Sequence, residues 1–377
     1  MIYLDNAATT YKKPDAVYSA VRKAIKDYSV NVGRGSYALS VLAAEKIYAA
    51  RYEIASFLNS NAPENVVFTL SATYALNLAI KGLITEKCHL IISDMEHNSV
   101  IRPIESLKEK IGVEYSIFNS GADRLELEIE SHIRSDTQAI VSTLASNVTG
   151  KEIPLSVLSK VARKHNLKLI VDAAQYIGHK RIDLKETPCT VLCAPAHKAL
   201  FGIMGLGFAV FSGDKSIETI IEGGSGNFSK STKMPYALPE RLEAGTLPSP
   251  AIAALYEGVK FIKSVGIDKI ERQIYTLTKL SSEAILSVPG TVVYGKNLGI
   301  VSFNMKGFKP EYLCDRLNEF GISVRGGLHC APSIHAKLGT SEYGAVRVSS
   351  SYFTTQREIY KLGIALKKIQ RSANKSR

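Results

Sequence analysis

Short apolar runs rich in β-branched residues alternate with helical patterns through the first two thirds of the chain. The runs at 65–69, 90–93, 113–118, 139–144, 167–172, 190–193 and 207–211 read as seven strands. Amphipathic segments such as Ala72 to Gly82 and Leu155 to His165 lie between several of them. Strands alternating with helices predict a mostly parallel α/β sheet, and the near-continuous apolar stretch at 168–171 predicts a strand buried on both faces. After about Pro250 the texture changes. A long helical pattern runs from Ile252 through Val265 and onward, followed by strands at 291–294 and 300–304 and a helix at 310–320. A glycine-bearing turn at 326–327 and a strand at 345–348 come next. Thr355-Gln356-Arg357-Glu358 predicts a capping box, and Ile359, Leu362, Leu366 and Ile369 stripe a last helix. This second part reads as a smaller α+β domain.

Composition narrows the class. The 377 residues, 45% apolar and 22% charged, suit an ordinary globular protein with room for two domains. No apolar run approaches bilayer-spanning length, and no basic stretch precedes an apolar one at the start, so a cytoplasmic location and no membrane partner are expected. The five cysteines, at 88, 189, 193, 314 and 330, form no Cys-x-x-Cys pair and no metal spacing. No metal is expected, and any working thiol acts alone. The net charge of +12 is spread along the chain except for a basic tail from Lys367, which reads as a solvated helix end rather than a nucleic-acid site.

Charge set against the apolar pattern points to chemistry. The run Leu169-Ile170-Val171 delivers Asp172 into Asp172-Ala173-Ala174-Gln175, and Thr190 to Cys193 leads into Ala194-Pro195-Ala196-His197-Lys198. A carboxylate at the end of one buried strand and a lysine just past another are expensive to place without a charged ligand between them. A carboxylate that keeps a pyridine nitrogen protonated and a lysine that forms a Schiff base are what pyridoxal 5′-phosphate (PLP) requires. Singly, Asp172 reads equally as a helix N-cap and Lys198 as a loop lysine. Ser71-Ala72-Thr73 opens a helix after a strand and offers backbone N–H groups to a phosphate, or is an ordinary N-cap. No Walker loop and no Gly-x-Gly-x-x-Gly follows a strand, which disfavours nucleotides.

His97, in Met95-Glu96-His97-Asn98-Ser99, falls at a strand's carboxyl end, where it is placed to stack on a pyridine ring and shuttle protons near neutral pH. The alternative is a structural histidine. Asn147 follows a strand in what reads equally as a turn. In Val324-Arg325-Gly326-Gly327-Leu328-His329-Cys330-Ala331-Pro332 an arginine and a histidine bracket a thiol. Positive charge from Arg325 or His329 is expected to make that thiol a better nucleophile. The other four cysteines fit buried structural positions better. Arg347, inside the apolar run 346–348, suits a buried carboxylate-binding role, with a surface ion pair as the plainer reading.

In this order the motifs resemble the class V aminotransferase superfamily of fold-type I PLP enzymes, and within it the cysteine desulfurases of the SufS/CsdA-like group. The resemblance covers nearly the whole chain. It rests on Tyr3 to Thr10, Asn31 to Ser40 with Gly33-Arg34-Gly35, Met95 to Asn98, Ser146 to Gly150, Asp172 to Gln175, His197-Lys198, Glu243-Ala244-Gly245-Thr246, Arg325 to Pro332, and Arg347. It implies a mostly parallel seven-stranded PLP-binding domain over 15–250. A small α+β domain over 251–377, joined by segment 1–14, carries Cys330 and Arg347.

The resemblance also implies roles. Lys198 forms the Schiff base and later moves a proton, Asp172 pairs with the ring nitrogen, and His97 stacks on the ring. Gln175 and Asn147 contact its hydroxyl side. Ala72, Thr73 and His197 bind the phosphate, with Thr246 reaching over from the second subunit of a homodimer. Arg347, Asn147 and the Ala7-Ala8 backbone hold the substrate carboxylate, and Arg325 and Arg34 line the wall. Cys330 attacks the sulfur of L-cysteine, carries a persulfide and passes it to an acceptor, expected to be a dedicated carrier protein because the cysteine lies in a compact segment.

Three positions depart from the family's pattern. Pro195-Ala196 stands before His197-Lys198 where Ser-Gly is usual, so a serine hydroxyl near the phosphate is missing; Tyr74 replaces an acidic residue, and Leu328 a histidine. The rival readings are a selenocysteine lyase, another PLP-dependent lyase or aminotransferase of the superfamily, and a catalytically silent protein of the same fold.

Overall fold

Twelve strands appear among the residues described by the computed structural model, which are 1–32, 37–60, 62–212, 217–226 and 230–375. They are β1 (Ile2–Tyr3), β2 (Val66–Thr69), β3 (His89–Ser93), β4 (Glu114–Phe118), β5 (Thr137–Thr143), β6 (Lys168–Asp172), β7 (Val191–Pro195), β8 (Gly207–Phe211), β9 (Thr291–Asn297), β10 (Ile300–Met305), β11 (Ile322–Ser323) and β12 (Val346–Ser349). Seven form one sheet in the order β2-β8-β7-β6-β5-β3-β4. β4, β3, β5, β6 and β7 run parallel, whereas β8 is antiparallel to both of its neighbours. The seven runs read from the sequence are these seven strands, with ends shifted by a residue or two.

Alternation explains why both faces of this sheet are apolar. Ile91, Ile140, Leu169, Val171, Leu192 and Val210 feed one core cluster, while Leu90, Ile92, Val141, Ile170, Val191 and Phe211 feed the other. The helices Ala72–Leu83 and Asn98–Ile111 cover the second face. Helices Ala38–Phe57, Leu155–Lys164 and Ser249–Val265 cover the first. The helix Ala38–Phe57 was not legible in the sequence because it is apolar all round. Ile47 and Ile54 are buried, yet Leu39, Val41, Tyr48 and Tyr52 face outward, which hides the helical period.

Downstream, β12-β10-β9 form an antiparallel sheet and β1 pairs in parallel with β11. The helical pattern after Pro250 divides at Gly266, whose φ of +86° ends Ser249–Val265 and starts Ile267–Leu286. The capping box forms as expected. The Thr355 N–H donates to the Glu358 carboxylate at 2.7 Å and the Glu358 N–H to Thr355 Oγ1 at 3.3 Å. Ile359, Leu362, Leu366 and Ile369 of that last helix are buried against Leu277, Ile285 and the small sheet. Among the described residues no helix is long and apolar enough to cross a membrane.

The parallel strands deliver the carboxyl ends of β3, β5, β6 and β7 to one edge, where open α/β sheets bind ligands. Glu96 ties two of those ends together. It is fully buried, accepting from the Ser93 hydroxyl and from the Thr143 N–H at 2.9 Å. Burial pushes its carboxyl up to about 8.

Candidate functional site

Asp172 ends β6, and Lys198 follows three residues after the end of β7. Asp172 is 4% exposed, and its carboxylate receives one hydrogen bond, from the Ala174 N–H at 2.9 Å. Burial raises its pKa; the Ala174 N–H and the Lys198 charge pull it back. Burial lowers Lys198 to about 8 against the opposing pull of Asp172. Among the described residues no hydrogen bond or ion pair reaches its amine. A buried carboxylate and a half-buried amine this sparsely partnered are costly unless something charged completes them. Both line a cleft of about 540 Å³, whose walls also include Ala72, Thr73, His97, Asn147, Gln175 and His197.

One end of the cleft suits an anion. Ser71 caps the helix Ala72–Leu83, accepting from the Tyr74 N–H at 3.2 Å, and the helix's first N–H groups open onto the cleft. Thr73 Oγ1 lies 2.8 Å from Ser99 Oγ, which lies 2.9 Å from His97 Nδ1. His97 Nδ1 also accepts the Ser99 N–H at 3.0 Å, which caps the helix Asn98–Ile111 and leaves the ring proton on Nε2. Burial and the neighbouring Lys198 charge push His97 down to about 4. It is neutral at physiological pH, so in the ligand-free protein it serves as an oriented ring and not as the near-neutral proton shuttle expected from its type. His197 is pushed down to about 4 by burial and then by Lys198, and its Nδ1 is sealed off without a partner. Its carbonyl accepts the Thr10 N–H and hydroxyl, both at 3.0 Å, so the N-terminal segment lies across the site.

These groups fit PLP. A phosphate answers the open helix N-terminus, a protonated ring nitrogen answers the buried Asp172 carboxylate, and an aldehyde answers the unpartnered Lys198 amine.

A second set of residues, from the later part of the chain, is hydrogen-bonded to the wall of the cleft at Asn147. His329 and Cys330 both take left-handed backbone conformations, with φ of +50° and +58°. Such conformations persist in non-glycine residues only where surroundings impose them. Here Asn147 Nδ2 donates to the His329 carbonyl at 2.7 Å, the Asn98 N–H donates to the Cys330 carbonyl at 2.8 Å, and His329 Nε2 meets the Ala345 carbonyl at 3.0 Å. The Asn98 contact sets Cys330 against the positive end of the helix that His97 caps. Cys330 is exposed, whereas Cys88, Cys189 and Cys193 are buried and Cys314 is half-buried. Burial lifts Cys88 to about 11 and Cys189 and Cys314 to about 12. Arg347 on β12 is buried, with Nη1 on the Asn147 carbonyl and Nη2 on Asp5 Oδ1, each at 2.9 Å. Gln175 Nε2 donates to the Ala7 carbonyl at 2.9 Å, and the Ala7 N–H donates to Ser349 Oγ at 2.9 Å.

The model of the family described as aminotransferase class-V matches residues 2–362. The chain belongs to the class-V aminotransferase family. A probable cysteine desulfurase of Methanothermobacter thermautotrophicus is 31% identical, over 98% of this chain and 94% of its own. A cysteine desulfurase of Klebsiella pneumoniae is 29% identical over the same shares. Among solved structures, the apo cysteine desulfurase of Thermococcus onnurineus superposes with a TM-score of 0.90 at 28% identity, covering 98% of this chain and 95% of the other. The cysteine desulfurase CsdA of Escherichia coli, in its S-sulfonic acid form, shares the fold with a TM-score of 0.88 at 23% identity, over 98% and 94% of the two chains.

Within this class-V fold, eight of the residues singled out from the sequence, Ala72, Thr73, His97, Asn147, Asp172, Gln175, His197 and Lys198, line one cleft. Cys330, Arg347 and Ala7 reach it through the hydrogen bonds above, while Ala8 sits in the adjoining turn, its N–H on the Asp5 carbonyl. Thr246 does not line the cleft. It is exposed in a second, apolar hollow with Leu70, Tyr74 and Ile221. Arg325 is exposed and joins the site through backbone bonds to Arg347. Arg34 lies outside the described residues. His329 is a correction, because burial and then Arg347 push it down to about 3. It therefore carries no charge with which to activate the neighbouring thiol. Sequence reasoning also missed Asp5, Glu96 and Ser99. All three lie in motifs already noted, but each also has a partner distant in sequence, Arg347, Thr143 and Thr73 respectively. No cluster of three or more His, Cys, Asp or Glu that could hold a metal occurs among the described residues.

Proposed function

We propose that this protein is a PLP-dependent cysteine desulfurase that converts L-cysteine to L-alanine and leaves the sulfur as a persulfide on Cys330. The observation that carries the reading is unpartnered Lys198 beside buried Asp172 in one cleft, with the segment of the exposed Cys330 tied to that cleft's wall where Asn147 holds the His329 carbonyl and the Asn98 N–H holds the Cys330 carbonyl. When bound, PLP supplies an aldehyde for the amino group and an electron sink for the α-carbon. Lys198 would hold the aldehyde before substrate arrives and would then carry the α-proton. Asp172 would keep the ring nitrogen protonated, with His97 and Gln175 as further ring contacts. The N-terminus at Ala72-Thr73 and His197 would take the phosphate, and Arg347 with Asn147 would clamp the substrate carboxylate. The Cys330 thiolate attacks the substrate sulfur. An S–S bond forms as Cβ–S breaks, the electron pair left on Cβ takes a proton, and Lys198 returns the α-proton to Cα, giving alanine.

The exposed apolar hollow around Thr246 suits the face of a homodimer, with Thr246 completing the partner's phosphate site. The exposed thiol suits transfer of the persulfide sulfur to an acceptor protein. The test is Cys330→Ala loaded with PLP and given L-cysteine. The visible band near 420 nm should persist while alanine formation and the Cys330 persulfide, mapped by mass spectrometry, disappear. Alanine formation at the wild-type rate sinks the persulfide reading and favours a lyase that does not use the thiol.

A further inference from the structure

Arg347 is almost sealed in the ligand-free protein. Its side chain keeps 3% of its surface, and its Nε is buried without a partner. Nη1 is spent on the Asn147 carbonyl, so the remaining edge is the one covered by Asp5, through a single Nη2···Oδ1 contact of 2.9 Å. Asp5 stands nearer the open side, with 18% of its side chain exposed. Its backbone cannot leave easily. Asp5 bridges Ser349, the Asn6 N–H donates to the Ser349 carbonyl at 3.3 Å, and the Ser349 N–H donates to the Leu4 carbonyl at 2.7 Å. Only the carboxylate is free to swing. Asp5 and Arg347 both act on the Lys198 amine, the first favouring its charge and the second opposing it, so the pair lies within electrostatic reach of the reacting amine. An amino acid held there by its nitrogen must put its α-carboxylate near this pair.

We propose that Asp5 is a built-in stand-in for the substrate carboxylate, which neutralises Arg347 in the ligand-free enzyme and releases it when an α-amino acid binds. The proposal rests on the reading of Arg347 as the carboxylate clamp. Two forces set its direction. A buried arginine with no counter-charge is strongly destabilising, so the empty site needs an occupant. A free carboxylate that meets the guanidinium through two parallel hydrogen bonds outcompetes a one-point contact. Every amino acid then binds against competition from Asp5, and an amine without a carboxylate does not.

The experiment compares PLP-loaded wild type, Asp5→Asn and Asp5→Glu. Each is titrated through its visible band with L-alanine and with ethylamine, which is alanine without its carboxylate. Asp5→Asn should tighten L-alanine by about tenfold, the effect of removing one competing charged hydrogen bond, and leave ethylamine within about twofold of wild type. Asp5→Glu should stay close to wild type for both ligands. Weaker or unchanged L-alanine binding by Asp5→Asn overturns the proposal, and so does an equal shift for both ligands. A crystal structure of the wild type with L-alanine serves if the variant does not fold: an intact Asp5–Arg347 contact overturns the proposal, and its replacement by the alanine carboxylate supports it. Wild-type protein that makes no alanine from L-cysteine refutes the desulfurase reading, while the comparison of L-alanine with ethylamine still decides the role of Asp5.

Discussion

Gly207→Ala tests how closely the sheet presses on the anion end of the cleft. Gly207 opens β8 opposite Thr69 of β2, two residues before the Ser71 cap. A Cβ there falls 2.3 Å from the Ser71 carbonyl carbon, 2.5 Å from the Ala72 nitrogen and 2.7 Å from the Ser71 oxygen. All three are backbone atoms, so no side chain can swing aside. Restoring an ordinary contact parts the strand from the helix start by about 1 Å, at a cost of about 1–3 kcal/mol in packing. The same shift misaligns the N–H groups offered to the phosphate. A hydrogen bond to a charged group contributes about 1.5–3 kcal/mol, so losing one weakens PLP by about tenfold or more. Equilibrium titration of PLP-stripped protein and urea unfolding read the two effects separately. Gly223→Ala is the control, since its Cβ meets only the Ala244 Cβ at 3.5 Å. Gly207→Ala with wild-type PLP affinity and unfolding free energy, each within about 0.5 kcal/mol, refutes the reasoning.

Two further predictions follow from groups in and behind the cleft. Burial lowers the Lys198 amine to about 8, against roughly 10.4 for an ordinary lysine. Because the neutral amine captures the aldehyde, PLP uptake by stripped protein should accelerate with rising pH and level off above about 8. Asp172→Asn, which removes the charge that holds the proton on, should move that midpoint lower; a wild-type midpoint near that of a free lysine contradicts the burial argument. Arg51 meets Glu243 through two contacts, 2.8 and 2.5 Å, with both side chains nearly sealed, and the Phe68 N–H adds a third bond to Glu243 at 2.6 Å. Glu243→Gln strands the guanidinium and should cost about 3–5 kcal/mol in urea unfolding, and loss of less than about 1 kcal/mol contradicts it.

Much of the site was legible because its chemistry lies at strand ends. Asp172 and Lys198 were recognisable as unusual from two short apolar runs, since a strand's end is a local property and a charge there has a fixed desolvation cost. His97 and Asn147 were readable for the same reason. The state of each was not. His97 is a helix cap held neutral by burial and by Lys198, and His329 is neutral behind the thiol it was expected to activate. Neither follows from residue type, because both depend on how much water the folded chain excludes. Asn147 shows a related gap: its side chain holds the His329 carbonyl and so shapes the thiol segment.

The sequence by itself determined the alternation of strands and helices, the seven strands of the large sheet, the last helix with its capping box, and the two strand-end charges, Asp172 and Lys198, proposed to hold the cofactor. Each of these is written in periodicity or in neighbours a few residues apart. Tertiary structure alone decided the pairing of Asp5 with Arg347, 342 residues away, and of Arg51 with Glu243, 192 residues away. It also decided the left-handed backbone at His329 and Cys330 and the delivery of that thiol to the helix capped by His97. These are contacts between surfaces that meet only after the sheet and its helices have packed, and no local pattern encodes which charge will find which partner.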